Sequence, residues 1–198
     1  MIPEIILFAL LVGWIFGGRF FRLADAKIKH VWLIFVPLAL YLVSWAPPLV
    51  KLPWFLGASA IVEKAALVAV AVCNLRVPGV KLILIGLLLN VIALSANGGM
   101  MPASTQALTS AFGADYAEKA RSAVHVRSAI MDASTELGFL CDIIAAKRPF
   151  VLMPAVYSIG DLVMSVGIFF AIIGIMRTPL PSEKKSAGAG NGLGSAAS

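Results

Sequence analysis

Five apolar stretches run through this chain, and Lys and Arg gather in alternate gaps between them. Arg19, Arg22, Lys27 and Lys29 follow the first stretch, whereas the gap after the second carries only Lys51. Arg76 and Lys81 fall between the third and fourth, and Arg177, Lys184 and Lys185 follow the fifth. Stretches of this kind suit a lipid core that takes about 20 residues to cross, and short cytoplasmic loops collect Lys and Arg. The alternation therefore predicts a multi-pass protein of the cell membrane with five spans, its N-terminus outside and its C-terminus cytoplasmic.

Composition excludes the main alternatives. Hydrophobic residues make up 60% of the 198 and charged residues 13%, whereas soluble domains run to about half and about a quarter. The net charge of +6 could suggest nucleic acid, but no basic stripe exists away from an apolar flank. These residues read as topology signals and as anchors to the lipid bilayer, with no nucleic-acid partner. Glu4 is the only early charge and the basic cluster follows the apolar run, a polarity that fits a retained first helix rather than a cleaved leader.

The predicted spans are 2–18, 31–45, 53–74, 79–96 and 159–176. Pro47 and Pro48 close the second, because neither can continue a helix. Residues 49–60 stay open between loop, interfacial helix and the start of the third span. Trp32, Trp45 and Trp54 fall near span ends, where amphipathic rings favour the headgroup level, and Trp14 does not. Residues 1–178 then form one transmembrane helical domain. Within it, 97–158 forms an outer segment whose five acids and five bases cancel. Two helices are expected there: an amphipathic one from the Asp115–Glu118 capping-box spacing to about Ser134, and a shorter one over 136–146 that dips into the interface. The Gly, Ala and Ser tail, 181–198, cannot bury apolar surface and is expected to be a disordered cytoplasmic tail.

Several groups could carry chemistry. Asn90 and Asn97 are seven residues apart and share one face of the fourth helix, and Gly98, Gly99 and Pro102 form a turn at its outer end. Amides in a bilayer must find partners, so this face either lines a polar, outward-opening groove or supplies a helix C-cap and interhelical hydrogen bonds. Ser158 and Asp161 have capping-box spacing at the start of the fifth helix, which accounts for both structurally; a cation or proton ligand at the outer mouth is the functional alternative. Gly160, Gly167 and Gly174 form a small-residue stripe, and Gly13 and Gly17 a small pair, either of which permits close packing within the subunit or between copies. Glu63 and Lys64 interrupt the third stretch. They lie either at membrane depth, where charge implies function, or at the outer interface with Lys64 snorkelling.

Catalytic signals are weak. His125 could enlist Ser128, Asp132 or Glu136, but no nucleophile elbow is present, and Glu136 and Asp142 do not share a helical face. No zinc spacing, phosphate loop or nucleotide fingerprint appears, so no catalytic residue, metal or cofactor is assigned. Cys73 and Cys141 are expected on opposite sides, without a disulfide between them.

Three segments carry a resemblance: Asn97-Gly-Gly-Met-Met-Pro-Ala, Glu136-Leu-Gly-Phe-Leu-Cys-Asp142-Ile-Ile and Tyr157-Ser-Ile-Gly-Asp161-Leu. They resemble the domain-of-unknown-function family 5317, small bacterial polytopic membrane proteins. The likeness runs from the first span to Met176, with Cys141 where a glycine is expected. It implies a bacterial membrane location, no known reaction, and a constellation joining Asn97, Asp142 and Asp161 at the outer boundary.

The expected fold class is an all-α, polytopic integral membrane protein. Its expected role is a non-catalytic binding or accessory subunit, with a polar mouth built from Asn90, Asn97, Gly98, Gly99, Pro102, Asp142, Ser158 and Asp161. A lipid headgroup, a small solute or a partner membrane subunit would engage it. A transporter or solute-capture component, working as a homo-oligomer or with partner subunits, is the alternative, followed by an enzyme acting on lipid-linked substrate through Asp142 or Asp161.

Overall fold

Each of the five apolar stretches folds as a helix. The structure, a computed structural model, describes residues 2–44, 46, 49, 52–122, 128–149 and 151–179. The helices are α1 (Ile2–Ile15), a short α2 (Phe21–Ala24), α3 (Phe35–Ser44), α4 (Pro53–Cys73) and α5 (Val80–Ala96), followed by α6 (Thr105–Phe112), α7 (Ala114–Ser122) and α8 (Ile159–Arg177). A 3-10 turn, Val31–Ile34, leads directly into α3. The open segment before the third span resolves at Pro53, which takes the first turn of α4, where its missing N–H costs nothing. Two helices, α4 and α8, are long and apolar enough to cross a membrane; α1, Val31–Ser44 and α5 are apolar but shorter. At about 1.5 Å per residue, α4 and α8 reach roughly 30 Å.

Packing places α8 between α1 and α5, with α4 on the far side of α5 and α3 on α4. Glycines set the closest of these contacts. A Cβ on Gly160 would lie 2.7 Å from the Gly86 carbonyl oxygen, and one on Gly167 would lie 2.6 Å from the Ile83 nitrogen. The small-residue stripe of α8 therefore packs within the chain, Gly160 and Gly167 against α5 and Gly174 against Pro78 just before it. Gly13 faces Met176 in the same way, whereas Gly17 meets no neighbour and turns the chain after α1.

This arrangement gathers the basic clusters at one end of the bundle. The Arg19 amide and the Arg22 guanidinium both donate to the Met176 carbonyl at the end of α8, at 2.9 and 3.0 Å. Lys29 pairs with Asn74 just beyond α4. Pro78 packs beneath Gly174, which brings Arg76 and Lys81 to the same end as Arg177.

At the opposite end α5 overshoots α8. Asn90 already touches the first turn of α8, so residues 91–96 continue past it by about 9 Å. Segment 97–158 fills the space above α8, and here the fold departs from the all-α expectation. Two small sheets are present: β1 (Met101–Ala103) parallel to β2 (Ser128–Ile130), and β3 (Ile144–Ala146) antiparallel to β4 (Ala155–Tyr157). The helix expected up to Ser134 is present as α7 up to Ser122, Ser128–Ile130 form a strand instead, and Asp115 lies inside α7 rather than at its cap. The helix expected over 136–146 is a 3-10 turn, Gly138–Leu140, that opens into β3. Local helical spacing loses to edge pairing here because the strand backbones find partners across the segment. A small core of Ala103, Leu108 and Ala117, backed by Ile130 and Val156, holds the module together. His125, Val124 and the 181–198 tail lie outside the described residues.

Candidate functional site

Two buried polar residues, Asn90 and Ser158, meet Asp161 where α8 begins. Ser158, fully buried, occupies the N-cap of α8. Its hydroxyl accepts from the Asp161 amide at 3.0 Å and donates to Asn90 Oδ1 at 2.8 Å. Asn90, 3% exposed, donates through Nδ2 to Asp161 Oδ1 at 2.8 Å, and Asp161 Oδ2 accepts from the Ser158 amide at 3.2 Å. These four bonds close a ring across two helices. The capping box is thus real, and it is also wired to α5. The capping box expected for Ser158 and Asp161 is present, and Asn90 makes the interhelical bonds expected of a buried amide.

Asn97 sits one residue past α5 and serves a different purpose. Its Nδ2 donates to the Ala93 carbonyl at 2.8 Å and to the Glu136 carbonyl at 2.9 Å, while its Oδ1 accepts from the Glu136 amide at 3.0 Å. Asn74, one residue past α4, repeats the pattern at the other end: Nδ2 donates to Val70 and Lys29 carbonyls, and Oδ1 accepts from the Lys29 amide. Each amide pairs with a loop backbone as a strand would. The clamp on Glu136 holds Leu137 in the left-handed region, at φ 50°, a conformation that costs a non-glycine residue about 1 kcal/mol or more. Gly99, at φ 83°, lies against the Gly57 backbone of α4, where any side chain would collide. Gly98 turns the chain beside it. Pro102 accepts from the Asp142 amide at 3.0 Å, and the Asp142 carbonyl accepts from the Ser104 amide at 2.9 Å, so Asp142 is held from both sides of Ala103.

These supports frame a cleft of about 210 Å³ lined by Glu63, Lys64, Asn90, Asp142 and Asp161, with Ala60, Leu94 and Met101. Of the eight residues read as an outer mouth, Asn90, Asp142 and Asp161 line the cleft; Asn97, Gly98, Gly99, Pro102 and Ser158 hold its walls. Glu63 and Lys64 were not read as part of it. They occupy the middle of α4, with Glu63 only 8% exposed, and line the cleft at the level where α8 begins. Their signal was present in the sequence as two adjacent charges inside an apolar run.

The electrostatics follow from that crowding. Burial, then the neighbouring Asp161 charge, push the Asp142 carboxyl up to about 7 against the opposing pull of Lys64. Burial and Asp142 raise the Cys141 thiol, which is fully buried and directed at the Glu136 and Leu137 carbonyls. Cys141 has an extended backbone, φ −77°, so a side chain is accommodated where the resemblance led us to expect glycine. Asp132, considered beside His125, is occupied in its own turn, accepting from the Ser134 amide and hydroxyl. Among the described residues no group of three or more His, Cys, Asp or Glu is placed to hold a metal ion. The cleft can accept a cation or ammonium group on its carboxylates and an anion on Lys64.

The model of a family of unknown function, DUF5317, matches residues 25–173. The chain belongs to that family. The DUF5317 match leaves out α1 but includes every residue of the cleft, and it contains all three segments that carried the resemblance. No curated protein and no solved structure matches the chain significantly.

Proposed function

We propose that this chain is a bacterial inner-membrane protein whose five apolar helices lie in the bilayer, with the basic end cytoplasmic and the cleft open to the outside. Its role is non-catalytic: a binding or accessory subunit that receives a lipid headgroup or small solute in the cleft. The outer surface of the bundle supports the membrane placement. Trp14, Phe35 and Trp54 turn most of their surface outward, at 60, 66 and 70%. In water that much exposed aromatic and aliphatic surface would drive aggregation; in lipid it is solvated. Trp14, one residue from the end of α1, then joins Trp32 and Trp54 at the headgroup level. The positive-inside rule supports the orientation, since Arg19, Arg22, Lys29, Arg76, Lys81 and Arg177 collect at one end.

The observation that carries the binding role is the cleft itself. Three carboxylates, one lysine and one buried amide surround an open volume at the boundary of an otherwise apolar bundle. Ionisable groups at that depth are costly to keep and mark a ligand or ion path. Mass spectrometry of the intact protein released gently from its native membrane tests the reading. A discrete bound species is expected in the wild type and absent from Lys64→Ala and Asp142→Ala variants that remain folded. A wild type carrying only a continuous lipid background would overturn it.

A further inference from the structure

A second cavity adjoins the cleft and shares one residue with it. It has a volume of about 390 Å³ and an almost wholly apolar lining, including Leu67, Val70, Ile83, Leu87 and Ile168, with Lys64 at the point where it meets the polar cleft. On α4 its lining extends from Lys64 to Asn74, and on α8 from Met164 to Ile175. Ten or eleven residues of helix make this groove about 16 Å long. Followed from the outer mouth inward, the chemistry changes in a fixed order. Carboxyl groups come first, at Asp142 and Asp161, then the Lys64 ammonium with Glu63 beside it, then a wall that is apolar as far as Asn74 at its far end.

We propose that the two cavities form one site for a phospholipid whose headgroup ends in a primary ammonium group, as in phosphatidylethanolamine. This deepens the binding role above and rests on it. Such a lipid carries its groups in the same order as the cavities present theirs: ammonium, phosphate, acyl chain. The ammonium has three N–H donors for the Asp142 and Asp161 carboxyl groups that line the cleft. Lys64 meets the phosphate as a point charge, and its position at the neck puts that contact between headgroup and chain. The cleft holds about seven water volumes at ~30 Å³ each, more than a bare cation needs and enough for a headgroup. A choline headgroup fits the same space but has no N–H to donate, and an anionic glycerol headgroup has no charge for the carboxylates. Charge-assisted hydrogen bonds to carboxylates should therefore decide the selection, by about tenfold.

The full chain, reconstituted in phosphatidylcholine vesicles with minor and equal fractions of phosphatidylethanolamine, its N,N,N-trimethylated counterpart and phosphatidylglycerol, tests this through the lipids retained after re-extraction. Phosphatidylethanolamine is expected to be enriched about tenfold over the trimethylated lipid. Asp142→Asn should abolish that enrichment, and Lys64→Gln should lower retention of both while keeping their ratio. The trimethylated comparison uses the wild type alone, so it stands even where a variant fails to fold. Equal retention of all three lipids means surrounding lipid only and overturns the proposal. Enrichment of phosphatidylglycerol, lost in Lys64→Gln, also overturns it while leaving the broader binding role intact; retention of no lipid above background in any mixture removes the lipid reading of that role as well.

Discussion

The Asn90 amide nitrogen lies 2.8 Å from an Asp161 carboxylate oxygen, although 71 positions separate the two residues in sequence. That single bond joins the cap of α8 to the middle of α5, and the Ser158 hydroxyl on the other Asn90 atom leaves the amide no freedom to flip. Replacing Asn90 by Ala leaves a buried hydroxyl and a buried carboxylate short of partners. The expected cost is about 2–6 kcal/mol, since each lost partner of a buried or charged group is worth about 1–3. Asn90→Asp should be worse, because it sets a second carboxylate against Asp161. Thermal unfolding in detergent, followed by helical circular dichroism, checks both.

Asn74 and Asn97 make matching clamps, and matching losses are expected. Asn74→Ala should deprotect the Lys29 amide to hydrogen exchange, and Asn97→Ala the Glu136 amide, with about 1–3 kcal/mol lost in each case. Asn97→Ala should also release the strained Leu137. Exchange measured by mass spectrometry on peptides covering 26–32 and 133–139 distinguishes a local release from global loosening, which would show at both sites in both variants.

Gly160→Ala places a methyl group against the Gly86 carbonyl and the Asn90 side chain. Overpacking of that kind costs about 1–3 kcal/mol. Val166→Ala on the outward face of the same helix should change stability by less than about 0.5 kcal/mol. A smaller effect at Gly160 than at Val166 would mean that α5 and α8 do not meet along this seam.

The pH dependence has a defined sign. Asp142 has an ordinary carboxyl value of 3.8 when unfolded and about 7 in the fold, so the folded state carries the extra proton between those limits. Stability should fall as pH rises from about 4 to about 7 and level off above, and at ~1.4 kcal/mol per pKa unit the total is on the order of a few kcal/mol. Asp142 shares the cleft with Glu63, Lys64 and Asp161; Asp161 reinforces the shift and Lys64 opposes it. Asp142→Asn should remove this slope and gain on the wild type most at pH 8, in unfolding scans taken at half-unit intervals.

Orientation is open to labelling, but not at Cys141. That thiol is fully buried, while Cys73 at the basic end is exposed. In a Cys73→Ser background, Ser134→Cys on the exposed 132–135 turn should react with an impermeant maleimide on intact cells. Cys73 in the wild type should react only after the membrane is opened. The reverse pattern would invert the proposed topology.

The five helices were legible because each is a long apolar run, three of them with a polar residue at one end: Asn74 and Asn97 after the third and fourth, Ser158 before the last. Segment 97–158 was not legible in the same way. Its strands are three residues long, too short to show alternation, and they pair with partners up to 27 residues away. The cleft was half legible. Asn90 could be found as an amide within an apolar helix, Asp161 from its capping-box spacing, and Asp142 from the resemblance. Glu63 and Lys64 could not be ranked, because only packing shows that their level on α4 matches the start of α8.

The two asparagine clamps act as end stops. One fastens the last turn of α4 to the Lys29 loop at the basic end, and the other fastens the last turn of α5 to the Glu136 loop at the opposite end. The α4–α5 hairpin is thereby prevented from sliding like a piston along its own axis in either direction.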